Sequence, residues 1–161
     1  MKLTLDDLIR AKDNFENPTP HANSAGLSAF KISFETLRAL NVEASKLKVD
    51  EKLLVTALLL WWRNPSEDET ESILEGLRSI PAQQMTEEIT LSPITLDIAG
   101  QGANLLDIGS ASVATKAGVL FAALLKDWLK EPEEYRIRIA ADYRQHLQEH
   151  NRPARENPPA H

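Results

Sequence analysis

The sequence predicts an all-α fold, an irregular bundle of about six helices with a short extended or hairpin insertion near residues 88–99. Apolar residues recur at helical spacing through most of the chain. Residues 53–62 are apolar at every position except Thr56, which indicates a central helix buried on all sides. Near residues 88–99 apolar and polar residues alternate, as they do in short half-buried strands.

The first predicted helix covers residues 5–15. Thr4 and Asp7 before it form a variant of the capping box. Its inner face consists of apolar residues at helical spacing: Leu5, Leu8, Ile9 and Phe15. Two prolines and several polar residues then predict a loop over residues 17–26.

A second helix is predicted over residues 28–41, with Asn41 as its end. Its apolar stripe is Phe30, Phe34 and Leu37. Asp50 is the expected N-cap of the central helix, which ends before residues 63–65.

The fourth predicted helix starts at a capping box formed by Ser66 and Glu69, and it ends before Pro81. Its inner face is expected to be Ile73, Leu74, Leu77 and Ile80. Carboxylates in its first turn favour the positive end of the helix, so part of this acidity has a structural explanation.

Residues 88–99 are predicted to be extended, with Pro93 interrupting the strand because it cannot donate to a ladder. Three glycines make residues 100–110 flexible or tightly turned. A second core helix is predicted over residues 111–129.

The last predicted helix begins at Glu131 and Pro132, with proline in the first turn. Four residues at spacings of four are expected to face inward: Tyr135, Ile139, Tyr143 and Leu147. Residues 1–150 are thus predicted to be a single helical domain. Residues 151–161, with three prolines and almost no apolar side chains, are predicted to be a disordered tail.

Composition excludes several classes of function. The chain has no cysteine, which excludes disulfides and thiol catalysis. Asp6 and Asp7 interrupt the apolar core that a secretory signal needs, so a cytoplasmic protein is expected. A net charge of −6 without a basic tract argues against direct nucleic-acid binding. No apolar stretch approaches the roughly 20 residues of a membrane span.

Residues 146–150 spell H-x-x-E-H, the zinc-binding pattern of inverzincin proteases, with two histidines on one helix face. That family takes a carboxylate ligand from well downstream, and Glu156 is the only acid that follows here. The pattern therefore favours adventitious binding of a divalent metal over catalysis, and neither a metal site nor a cofactor is predicted.

Residues 105–112 resemble the first nucleotide-binding motif of class I methyltransferases. Ala111 and Ser112, however, stand where that family has glycines, and too few residues follow for its parallel sheet. No phosphate-binding loop and no G-x-S-x-G motif occurs. We therefore predict no catalytic residues and expect that the protein is not an enzyme.

The acidic segment is the main candidate for function. Residues 64–115 carry nine carboxylates and one base, a net charge of −8 against −6 for the whole chain. Adjacent helix residues point about 100° apart, so one of the two neighbouring tryptophans is expected to face inside and the other to lie nearer the surface as an anchor, unless both rings pack between helices. The predicted partner-binding residues are Trp61, Trp62, Glu67, Asp68, Glu69, Glu71, Glu75, Glu87 and Glu88.

These features predict a non-enzymatic binding protein that presents an acidic surface to a basic protein partner, as immunity, chaperone or inhibitor proteins do. One alternative is a self-associating component of a bacterial or viral assembly, a homo-oligomer formed through apolar positions of the 88–99 segment. A second alternative is a membrane-active helical protein, because residues 111–125 are rich in small apolar side chains.

Overall fold

The computed structural model describes residues 3–16, 27, 29–62, 66–106 and 111–150. Its elements, in chain order, are α1 (Leu5–Glu16), β1 (Phe30–Ser33), α2 (Phe34–Leu47), α3 (Glu51–Trp62), α4 (Glu67–Leu77), β2 (Met85–Ile89), α5 (Pro93–Asn104), α6 (Val113–Leu129) and α7 (Glu133–His150). Seven helices and one small antiparallel sheet in the described residues confirm the all-α class with an extended insertion.

Helices α3 and α6 form the centre of the core. Every residue of α3 from Leu53 to Trp62 is buried, as its uniform apolarity predicts. Helix α6 is buried from Ala117 to Leu125 and contacts α3, α4 and α5 as well as β1. The predicted N-cap of α3 is confirmed, because the Asp50 carboxylate accepts from the Lys52 amide at 2.8 Å.

The outer helices also begin where the sequence signals them. In α1, the Thr4 amide donates to the Asp7 carboxylate at 2.8 Å, which confirms the capping box. Helix α7 buries Ile139 and Tyr143, while Tyr135 and Leu147 are partly buried. The loop predicted over residues 17–26 and the tail predicted over residues 151–161 lie outside the described residues.

The second predicted helix is wrong at both ends. Residues 30–33 form β1, in which the fully buried Phe30 and Ile32 alternate with the exposed Lys31. Helix α2 starts only at Phe34 and continues past Asn41 to Leu47. It ends where Lys48 adopts the left-handed conformation (φ 56°), a conformation that lets the Lys48 amide donate back to the last helical carbonyls.

The extended insertion is confirmed as a sheet, but its position differs from the prediction. Strand β2 covers Met85–Ile89. Its partner is β1, which lies more than fifty residues earlier in the chain, so the two strands are not a local hairpin. Pro93 begins helix α5, so the strand prediction is wrong for residues 93–99 and the turn prediction is wrong for residues 100–104. Residues 95–100 are all buried, and a helix buried on all sides imposes no 3.6-residue pattern on its sequence.

Helix α6 lies directly against β1. A Cβ atom placed on Gly118 would come within 1.4 Å of the Lys31 carbonyl oxygen and within 2.5 Å of its carbon. Real Cβ atoms do not approach backbone atoms this closely, so this crossing requires glycine. Gly102 has a similar role between α5 and α6, where a Cβ atom would meet Leu120 at 2.7 Å.

A buried polar cluster joins α2, α6 and α7. The Arg136 guanidinium donates to both carboxylate oxygens of Glu43 at 2.5 and 2.6 Å, and the Trp128 indole donates to the same carboxylate at 2.7 Å. The Arg136 Nε also donates to the Glu131 carbonyl at 3.1 Å. Glu43 and Arg136 are thus buried as a hydrogen-bonded pair, the form in which buried charge is tolerated.

None of the helices among the described residues is both long and apolar enough to cross a membrane.

Candidate binding surfaces

The tryptophan pair is not an exposed anchor. Trp61 and Trp62 are each 8% exposed, so the expectation that one lies nearer the surface is wrong. Helix α5 covers Trp62, whose indole nitrogen would lie 2.9 Å from a Cβ atom placed on Gly102. Because α3 is surrounded by other elements, two side chains that point about 100° apart both find packing partners.

Helix α4 positions most of the predicted acids. The Ser66 hydroxyl accepts from the Glu69 amide at 3.2 Å, which places Glu67, Asp68 and Glu69 in the first turn. Negative charge at this end opposes the positive pole of the helix, a contribution of about 0.3 to 1 kcal/mol per well-placed charge. Ile73 and Leu77 are buried and attach the helix to the core.

The outer side of α4, here called the α4 face, consists of Glu67, Asp68, Glu71, Leu74 and Glu75, all of which are exposed. Leu74 is 41% exposed, whereas the sequence predicts it on the inner face. It lies one turn after Glu71 and two turns after Glu67. Within the described residues, none of these four acids forms an ion pair. The α4 face is therefore acidic with an apolar side chain among its carboxylates.

The remaining predicted acids lie on the sheet. Glu88 is exposed on β2, opposite Lys31 of β1, while Glu87 is only partly exposed and stands opposite Ile32. Successive strand residues point to opposite faces, so these two carboxylates do not share a surface. The nine residues that the sequence groups as one site thus lie on three elements. Among them only Glu67, Asp68, Glu71 and Glu75 of α4 form one continuous face.

A second surface, which the sequence analysis missed, lies on α2. Phe34, Arg38 and Val42, here called the α2 stripe, recur every four residues, and Phe34 and Val42 are 62% and 56% exposed. A groove of about 380 Å³ runs beside it between α2, the end of α6 and the α4–β2 connection. The sequence predicts Phe34 in an inner stripe with Phe30, but Phe30 belongs to β1, so this prediction is wrong and Phe34 faces outward at the start of α2.

The exposed charges on this side of α2 are of both signs. Lys126 and the acid Glu35 line the groove, and Glu35 also lines a second pocket together with Arg38 and Lys46. Lys46 also pairs with Glu133 of α7 at 3.4 Å. The α2 side of this acidic protein therefore differs from the α4 face in both charge and apolar content.

Among the titratable groups, Tyr135 has a shifted pKa. Burial, followed by repulsion from the nearby Glu131 carboxylate, raises the pKa of Tyr135 above its ordinary 10.0. The Tyr135 hydroxyl donates to the Leu3 carbonyl at 2.9 Å and so joins α7 to the start of the chain. In the part of the chain that the structure describes, no three His, Asp or Glu side chains converge to hold a metal.

Comparison with protein-family models, with curated proteins and with solved structures found no match for this chain.

Proposed function

We propose that this chain is a non-enzymatic binding protein whose α4 face contacts a basic surface on a protein partner, as immunity, chaperone or inhibitor proteins do. The observation that carries the proposal is the α4 face itself: four exposed carboxylates, none ion-paired within the described residues, around the exposed Leu74. A cytoplasmic location is part of the proposal, and direct nucleic-acid binding is not.

The physical basis is complementarity of charge combined with a preformed helix. Opposite charge accelerates encounter with a basic partner and disfavours wrong partners more than it adds affinity. Leu74 supplies apolar area that the carboxylates surround, an arrangement typical of protein interfaces. Because Ile73 and Leu77 already hold α4 against the core, binding does not need to order this helix.

The test reverses charge on α4 without disturbing its first turn. The double variant Glu71→Lys, Glu75→Lys changes two exposed acids that have no capping role. The matched control is Asp13→Lys, Asp142→Lys, which makes the same change in net charge at exposed positions of α1 and α7. Circular dichroism should show both variants folded.

Partners are first captured from the source organism with the native chain and identified by mass spectrometry, and their association rates are then measured at low and high salt. We expect the α4 variant to associate about tenfold or more slowly at low salt, with a smaller loss at high salt, and the control to change little. Equal rates for the two variants, or no salt dependence, would overturn the role of the α4 face.

A second candidate function is self-association, which the α2 stripe favours. The apolar residues of the 88–99 segment are buried or partly buried, so that segment does not offer the contact first expected. The α2 stripe instead combines exposed apolar side chains with Arg38, and it complements the α4 face of a second copy.

Light scattering on the same variants distinguishes self-association from binding to a different protein. A native chain that stays monomeric at high concentration removes self-association, and an oligomer lost only in the α4 variant supports it.

A further inference from the structure

We propose that His146 and His150 form a two-ligand site for a divalent transition metal at the C-terminal end of α7. This site is independent of the α4 face and of the function proposed for it.

The position of the two residues carries the proposal. They are one helical turn apart on one face of α7, and their rings are stacked, with centroids 5.9 Å apart and planes 14° from parallel. Because both side chains reach solvent, rotation of the rings can bring a nitrogen from each to the same ion. His150 is exposed and His146 is partly exposed, so an ion from solvent can reach both.

The surrounding charge favours a cation. The site occupies the last two turns of α7, where the helix dipole is negative. Asp142 lies one turn before His146 and Glu149 precedes His150, so two carboxylates stand near the site. Among the described residues the nearest arginine in sequence is Arg144, which is directed toward the Leu47 carbonyl and donates to it.

The donor atoms select the class of metal. Imidazole nitrogen binds Cu²⁺, Ni²⁺ and Zn²⁺ well, with Cu²⁺ the tightest in the usual order, whereas Mg²⁺ and Ca²⁺ prefer oxygen. No group of three His, Asp or Glu residues in the described chain converges on an ion, so water completes the coordination. Two ligands on one helical face act as a chelate, because binding to one ring holds the ion at high effective concentration beside the other.

The experiment titrates the full chain, without a histidine tag, with CuCl₂, NiCl₂, ZnCl₂ and MgCl₂ by isothermal calorimetry. We expect one Cu²⁺, Ni²⁺ or Zn²⁺ ion per chain, with Cu²⁺ tightest, and no binding of Mg²⁺. The single variants His146→Ala and His150→Ala should each weaken Cu²⁺ binding by on the order of 100-fold, because each removes the chelate. Electron paramagnetic resonance of the Cu²⁺ complex should show nitrogen ligands that are lost in the double variant.

Three control variants make the test specific. The chain has two other histidines, and His21→Ala and His161→Ala should leave Cu²⁺ affinity unchanged. Asp142→Asn should also leave the number of bound ions unchanged. The proposal is overturned if His146→Ala and His150→Ala retain native affinity, if the other histidine variants lose it equally, or if the native chain binds Cu²⁺ only above about 1 mM, the range of a single weak ligand.

Discussion

Helices α6 and α4 each contain one glycine with a defined environment, and the two environments are opposite. A Cβ atom on Gly118 of α6 would collide with the backbone of β1, whereas one on Gly76 of α4 would have no atom within 4 Å. Helix α6 is enclosed by other elements, and α4 uses two buried side chains to attach and leaves a whole face free. The comparison shows that α6 is specified by packing, while the residues of the α4 face are available for function.

The largest effect on stability is expected when a charge is removed from the buried cluster that joins α2, α6 and α7. Glu43→Gln takes the carboxylate away from the Arg136 guanidinium and the Trp128 indole, and it leaves a buried positive charge uncompensated. We expect a loss of about 3 to 5 kcal/mol in the free energy of unfolding, measured by urea denaturation.

The exposed Glu35 in the first turn of the same helix provides the control, and Glu35→Gln should change stability by less than about 1 kcal/mol. The double variant Glu43→Leu, Arg136→Met should recover part of the loss, since it removes both charges together. A near-neutral Glu43→Gln would mean that the cluster does not hold α6 against its neighbours.

The next largest effect on stability is expected when the two glycines are replaced by alanine. Gly118→Ala should destabilise the protein by about 3 kcal/mol or more, because α6 or β1 must move to admit the methyl group. Gly76→Ala should stabilise it by about 0.5 to 1 kcal/mol, because alanine is the better helix former and meets no neighbour. Thermal unfolding of both variants measures the difference, and equal melting temperatures would contradict the contrast between the two helices.

The smallest effect concerns Tyr135, whose ring lies 6.3 Å from that of Trp128 at the edge of the α6 contacts. Its raised pKa means that the folded state favours the neutral phenol more than the unfolded state does. The resulting stability is present below pH 10.0 and is lost as the pH rises through the raised value.

We therefore expect Tyr135→Phe to be less stable than the native chain by about 1 kcal/mol near pH 8, where the hydrogen bond to Leu3 is intact. The difference should shrink above pH 10.0. Urea denaturation of both proteins across this range is the measurement. A gap that stays constant with pH would show that the tyrosine does not titrate differently on folding.

Much of the fold was predictable because its signals are local. Helix α3 follows from uniform apolarity, and α1 and α4 follow from capping boxes that the structure confirms by hydrogen bonds. Strand β1 and helix α5 were not predictable in the same way. Strand β1 has only four residues and pairs with a segment more than fifty residues away, and α5 is so deeply buried that its sequence shows no helical period.

The candidate site, like the fold, was predicted only in part. The exposed acids of α4 were expected from their first-turn position and charge, and they are exposed. The exposure of Leu74 and the α2 stripe were not predicted, and the sequence left open whether both tryptophans are buried. Each depends on which neighbouring elements cover a helix face, and that information is spread over distant parts of the chain.

By itself, the sequence determined the helical class, the positions of most helix starts and the acidity of α4, because capping, apolar period and charge act within a few residues. The tertiary structure alone decided which side chains of those helices are covered. Burial is a property of contacts between distant segments, such as Gly118 with Lys31 or Gly102 with Trp62. For that reason the α4 face and the α2 stripe emerge only when α2, α4 and α6 are packed together.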